Sequence, residues 1–309
     1  MNEATMLNLI CLSILTAIPA MPPITVRTET YEGWTGCFRV SNGLVDLVVV
    51  PQIGRIMRFG AVGQRNLLWE GERKNGEPPD NSGWKNWGGD KVWPAPQDSW
   101  GWPPETEYDG ATWNVTAVQN GVHMQSTSKS AKLGLRFERT ILLKQGSKEA
   151  SIQNTLINDS GIAVRHGVWE ICQVDNPESC LLPTWKSSKQ PTGWHAFSAD
   201  NRGEFVSELD GELTIKRDAK TGWKYGSGSP KGYVSANFPG FSITLKTKVD
   251  ARAEYADQGS ALQVFTSPDP WKYVELELTG PLTSLKPGQS TSITVTMTLN
   301  TVQIRNINQ

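Results

Sequence analysis

After about residue 30 the chain reads almost entirely as short alternating segments. Leu44 to Pro51 (LVDLVVVP) is an apolar run of strand length; Gln52 to Arg55 reads as a turn and Ile56 to Phe59 as the returning strand. In Leu133 to Leu143 (LGLRFERTILL), Leu133, Leu135 and Phe137 fall on one face of an extended chain. Segments 150–157, 164–174, 212–216, 241–247, 262–266, 273–278 and 292–299 alternate or carry β-branched residues. Asn120-Gly121, Asn158 to Gly161, Asp210-Gly211 and Pro287-Gly288 punctuate them as turns. Helical periodicity nowhere persists beyond about two turns. Strand rhythm runs through the middle of the chain without a linker and without a repeat, which excludes a propeller or solenoid. The pattern predicts one large all-β domain, a sandwich of two sheets.

One segment breaks that rhythm. Lys74 to Trp113 is rich in Gly, Pro, Asn and Asp, and is predicted to be a long functional connection. Tryptophan is the compositional outlier, 13 residues against 6 Tyr and 8 Phe, and this segment holds Trp84, Trp87, Trp93, Trp100, Trp102 and Trp113. Within it, Gly88-Gly89 allows a sharp turn or a close backbone approach, while Asn86, Asp90, Lys91 and Gln97 offer polar groups beside the indoles. Sugar rings present C–H faces and a rim of hydroxyls, so flat apolar walls with a few aimed polar groups suit them. The alternative is that the indoles fill a core beneath a loop and Asp90–Lys91 is a solvated pair.

Charge excludes other partners. Lys+Arg is 30 and Asp+Glu 31, a formal net charge of −1, and no block of like charge offers a surface for nucleic acid or an anionic membrane. Met6 to Ala20 is apolar but too short to span a bilayer comfortably. It reads as the core of a signal peptide over residues 1–22, leaving 23–309 as the domain of a secreted or periplasmic protein with no membrane association after cleavage. The other reading is a buried or disordered apolar N-terminus. In an exported protein Cys172 and Cys180 could close a disulfide; otherwise they are ordinary thiols. There is no CxxC pair, and His123, His166 and His195 are scattered, so no metal site is expected. No phosphate-binding, dinucleotide, nucleophile-elbow or zinc-protease motif occurs, and no cofactor is expected.

The block NWGGDKVWPAPQ (residues 86–97) followed by Ser99-Trp100 resembles the DUF4380 proteins, relatives of the galactose mutarotase-like (aldose 1-epimerase-like) superfamily. Pro51 to Ile56 followed by GQRNLLW (63–69) looks like the first hairpin of such chains. Arg165 to Ile171 sits where mutarotases place a strand carrying a His, and residues 262–285 followed by KPGQS resemble the terminal strands. The resemblance covers about residues 30–300. It implies a β-supersandwich of two large antiparallel sheets with a sugar cleft on one face, and a mono- or oligosaccharide as partner; the oligomeric state stays undefined. The substrate-binding candidates are Asn86, Trp87, Asp90, Lys91, Trp93, Gln97, Trp100 and Trp102.

Opening an aldose ring requires a proton donor at the ring oxygen and a base at the anomeric hydroxyl. Mutarotases are understood to use a His and a carboxylate. His166 matches by position, and Glu170, four residues on, would share its strand face. The Glu that precedes the LQ-aromatic-Thr strand in mutarotases is not reproduced before Leu262; Asp257 and Glu254 are the nearest acids, and Asp257 is the candidate base. A buried or surface structural role is the alternative for His166. Glu275 and Glu277 should share one face of their strand, either as an outward polar face or as a ligand-binding pair. Three functions follow: a carbohydrate-binding protein, an aldose 1-epimerase-like isomerase, or a non-catalytic interaction domain with an exposed Trp-rich loop.

Overall fold

Two antiparallel sheets make up nearly all the regular structure of the computed structural model, which describes residues 21–71, 84–197 and 203–301. The eleven-stranded sheet runs in the order Thr25–Tyr31, Trp34–Ser41, Val45–Val50, Arg55–Ala61, Asp90–Ala95, Val164–Asp175, Tyr273–Thr279, Leu262–Thr266, Trp223–Ser227, His195–Ala196; Thr283–Leu285 pairs onto the start of Val164–Asp175. The ten-stranded sheet runs Val206–Leu209, Glu212–Ile215, Ser179–Pro183, Tyr233–Phe238, Phe241–Lys246, Ser290–Thr301, Glu149–Asn158, Leu135–Leu143, Gly121–Ser126, Trp113–Val118. The only α-helix among the described residues is the single turn Ala256–Gly259. The apolar run read as a signal peptide lies outside the described residues.

The alternating segments became strands because alternation lets each strand seal one face. In Leu135–Leu143 the odd positions Leu135, Phe137, Ile141 and Leu143 are buried and the even ones are half-exposed. Leu133 lies in the preceding turn and only packs against the margin of the core. Inward side chains of both sheets merge into one core that includes Leu47, Ile56, Phe137, Ile152, Leu245 and Val295. Each fully buried aliphatic or aromatic side chain of this kind contributes roughly 1.5–3 kcal/mol.

The Trp-rich segment corrects the expectation of one long connection. Asp90–Ala95 is a central strand, paired over six positions with Val164–Asp175. It pairs with Arg55–Ala61 only at Ile56–Asp90, so beyond Asp90 that edge carries no ladder and Pro94, which has no N–H, is tolerated. Gly88 and Gly89 precede it with φ of 80° and 70°. A Cβ on either would run into the carbonyl oxygen of Trp69 or of Ile56. These glycines therefore let backbone approach backbone.

Cys37, Cys172 and Cys180 are free and buried, so the Cys172–Cys180 disulfide does not form. Cys172 belongs to one sheet and Cys180 to the other. Burial pushes both thiols well above their ordinary range.

Candidate functional site

The face of the eleven-stranded sheet turned away from the second sheet carries the chemistry. Register fixes which side chains meet there. Lys91 and Trp93 stand opposite Ile171 and Trp169; Glu275 stands between Gln173 and Phe265; Lys224 pairs with Phe265. With Trp84, Asn86, Gln97, Trp102 and Tyr273 these enclose a cavity of about 180 Å³. That is roughly six waters of liquid volume, the scale of one sugar ring. Larger hollows of about 340 Å³, beside Trp185, and about 450 Å³, beside Lys231, Lys246 and Lys248, have no comparable cluster of indoles.

The indoles are set edge to face. Trp93 meets Trp100 at 5.4 Å, Trp169 at 5.5 Å and Trp102 at 6.5 Å between ring centroids. Trp84 meets Trp102 at 4.7 Å. Such pairs contribute about 0.5–1.5 kcal/mol beyond area burial. Trp93 and Trp169 are 5% and 3% exposed, whereas Trp84 and Trp102 are 37% and 58% exposed, so the first two form the floor and the second two the mouth.

Asp109 holds this arrangement together. Its Oδ1 accepts from Arg55 at 2.5 Å and from the Trp93 indole N–H at 2.8 Å; its Oδ2 accepts from the Trp84 indole at 2.8 Å. Lys91 Nζ stands 3.9 Å from Oδ1 and 4.0 Å from the centre of the Trp93 ring. One buried carboxylate thus orients two cavity indoles and faces two buried cations. Sequence reading missed Asp109, which sits in no motif.

A second polar node lies deeper. Glu277 is fully buried, and its Oε2 accepts from Lys224 and from the Trp169 indole, each at 2.9 Å. Its Oε1 has no hydrogen-bond partner. Burial raises its carboxyl to about 7, against the lowering effect of the Lys224 ammonium. In an acid whose folded pKa is raised, stability is full below the unfolded value and is lost as pH rises through the folded one. The Glu277 contribution should therefore fall between about pH 4.5 and about 7. Urea titrations across that window should show a flatter profile for Glu277→Gln; parallel profiles would contradict it.

Five of the eight predicted binding residues line the cavity: Asn86, Lys91, Trp93, Gln97 and Trp102. Trp87 instead packs on Trp34 in a separate apolar cluster with Val48, Val50 and Met57. Trp100 is buried between Trp93 and Tyr108, its indole donating to the Pro94 carbonyl at 2.9 Å. Asp90 points the other way, into the sandwich, where it is fully buried and ion-paired with Arg139 of the opposite sheet.

The predicted catalytic residues do not converge on the cavity. From His166 to Val174 every residue of the strand is buried, so the face shared by His166 and Glu170 is not an open one. His166 rests a ring nitrogen on the Ala95 carbonyl at 3.2 Å, and burial lowers its pKa, which keeps it neutral. Glu170 is fully buried and accepts from Asn154, whose Oδ1 accepts from Arg139 at 2.7 Å. Burial and the neighbouring Asp90 charge push Glu170 well above the carboxylate range. Both carboxyls of this cluster are shifted upward by burial, and the Arg139 guanidinium opposes the shift, acting most directly on Asp90, its ion-pair partner. Asp257 lies on a left-handed turn (φ 54°) and accepts from Gln263 at 2.9 Å. Gln263 stands opposite Glu277, so Asp257 approaches the deeper node without lining the cavity.

No family model matches the sequence, so the DUF4380 resemblance gains no support there, and no curated protein matches it. Solved structures do match. A galactose mutarotase-like protein from Lactobacillus casei aligns with a TM-score of 0.60 at 11% identity, over 86% of this chain and 100% of its own. A candidate aldose 1-epimerase from Escherichia coli K12 aligns at 0.56 and 15% identity, over 90% and 100%. A galactose mutarotase related enzyme from Lactobacillus acidophilus aligns at 0.55 and 12%, over 86% and 97%. At these identities the likeness concerns architecture: the chain has the galactose mutarotase-like fold, with its two large antiparallel sheets packed face to face.

Proposed function

We propose that the protein binds a mono- or oligosaccharide in the cavity on the outer face of the larger sheet. The observation that carries this reading is the set of four indoles, Trp84, Trp93, Trp102 and Trp169, around a hollow rimmed by Asn86, Gln97, Gln173, Lys91, Lys224 and Glu275. Flat apolar walls with a polar rim match the two faces of a sugar ring. The fold neighbours support the same ligand class. Titration with hexoses should change the tryptophan fluorescence, and Trp102→Ala should weaken binding at least about tenfold with the fold retained, since this indole is already exposed. No fluorescence response to any sugar would count against the reading and favour an interaction domain.

A second reading, an aldose 1-epimerase-like isomerase, is favoured by Glu277. A carboxyl with a pKa of about 7 is matched to proton transfer at neutral pH. Glu277 lies beneath Lys224, so this role requires Lys224 to swing aside when the sugar enters. Polarimetry of hexose anomerisation tests it. Glu277→Gln should abolish any rate enhancement while sugar binding persists; an unchanged rate would remove Glu277, and His166→Ala serves as the comparison.

A further inference from the structure

Lys91 is a buried cation on the cavity wall with no hydrogen-bonded carboxylate among the described residues. Its side chain is 2% exposed yet lines the cavity, so its ammonium is shielded from water on every side but that one. Among the described residues the carboxylate nearest to it is Asp109, at 3.9 Å, beyond hydrogen-bond reach. Asp109 is already engaged by the Arg55 guanidinium and the two indoles. Arg55, Lys91 and Asp109 are all buried, and within this trio one carboxylate serves two cations; Glu275 and Glu277 also face Lys91 but form no ion pair with it among the described residues, and Glu277 is bonded to Lys224. A buried charge without a hydrogen-bonded counter-ion is costly, and the cation–π contact with Trp93 at 4.0 Å offsets only part of that cost. Lys224 differs, because its ammonium is bonded to Glu277.

We propose that the natural sugar is a uronate, whose ring carboxylate binds Lys91 Nζ and neutralises the buried trio. This rests on the saccharide reading above and narrows it to carboxylated sugars. A hydroxyl could also accept from Lys91, but a charge-assisted bond is about twice as strong and supplies the missing negative charge. A phosphorylated sugar fits less well. Its dianion would exceed the single unbalanced charge, Arg55 is already held by Asp109 and the Gly88 carbonyl, and Glu275 on the same wall would repel the excess. Burial lowers the Lys91 pKa to about 8, so the ammonium is charged at pH 7 and becomes neutral as pH rises above that value. Arg55, Asp109, Glu275 and Glu277 face it from the neighbouring strands and loop.

The test is fluorescence titration of the full chain at pH 7 with glucuronate and galacturonate, against glucose, galactose and their 6-phosphates. The uronates are expected to bind at least about tenfold tighter than the parent hexoses. Lys91→Met should erase that preference, weakening uronate binding at least about tenfold more than hexose binding, while Lys91→Arg, which keeps the charge, should preserve it. The uronate preference of the wild type should also decline above about pH 8 and that of Lys91→Met should not. Equal affinity for uronate and hexose, tighter binding of the phosphates, or equal weakening of both sugar types by Lys91→Met would overturn the proposal. Absence of all sugar binding would instead remove the saccharide reading on which it stands.

Discussion

Arg139→Met is expected to lower folding stability by about 3–5 kcal/mol, because it strands a carboxylate in the interior. Arg139 is fully buried between the sheets, where its guanidinium is paired with Asp90, donates to the Asp90 carbonyl at 3.1 Å and to Asn154 at 2.7 Å. Nothing else among the described residues neutralises Asp90. Glu170→Gln should behave oppositely. The raised pKa of Glu170 favours its protonated form in the folded state, so an amide keeps its shape and neutrality; stability should stay within about 1 kcal/mol of wild type near pH 4 and should not fall below wild type at higher pH. The pH dependence separates the two further. A raised folded pKa contributes stability fully below the unfolded value, near 4.5, and loses it as pH climbs. The stability gap between wild type and Glu170→Gln should therefore shift against wild type above about pH 4.5. Urea midpoints over pH 4–8 measure both effects; a large loss for Glu170→Gln at pH 7 would show that the carboxyl is ionised inside the fold.

Asp109→Ala should combine a stability loss of about 3–5 kcal/mol with loss of the cavity. It removes the only carboxylate bonded to the buried Arg55 among the described residues, and the acceptor for two indole N–H groups. Trp84, already partly exposed, would lose its anchor, and tryptophan emission should move to the red in the folded protein. Asp109→Asn retains one acceptor oxygen and should lose sugar binding while unfolding at a midpoint between wild type and the alanine variant. Unchanged emission and binding in Asp109→Ala would mean that packing alone positions the indoles.

The position of the site was partly legible in the chain. Dense indoles interleaved with amides mark residues 84–102, and five of the residues named there line the cavity. Strand parity sets Trp169 on the face opposite Glu170, and the structure uses that parity: Trp169 faces the cavity and Glu170 the interior. Parity also put Glu275 and Glu277 together, as found on the cavity face. Lys224, which carries no motif, stands in the cavity wall on the strand Trp223–Ser227.

Local pattern could not say which face of a strand is open. His166 and Glu170 obey the alternation and are nevertheless buried: Glu170 is on the face packed against the second sheet, where it meets Asn154, and His166 rests on the Ala95 carbonyl of the neighbouring strand. Asp90 and Lys91 are neighbours in sequence with opposite fates: one pairs with Arg139 across the sandwich, the other faces the cavity. The central strand Asp90–Ala95 was hidden by Pro94 and by the crowding of Trp and Gly, signals that ordinarily end a strand.

Alternation and turn chemistry, which are local properties, were sufficient for an all-β chain of two sheets and for the aromatic character of the site. Long-range pairing alone decided the rest: that Asp109 binds two indoles, that Glu277 lies under Lys224, and that Lys91 faces the cavity 3.9 Å from its nearest carboxylate among the described residues. Those facts depend on residues far apart in the chain being brought to one place, where burial turns ordinary surface charges into groups that must find a partner.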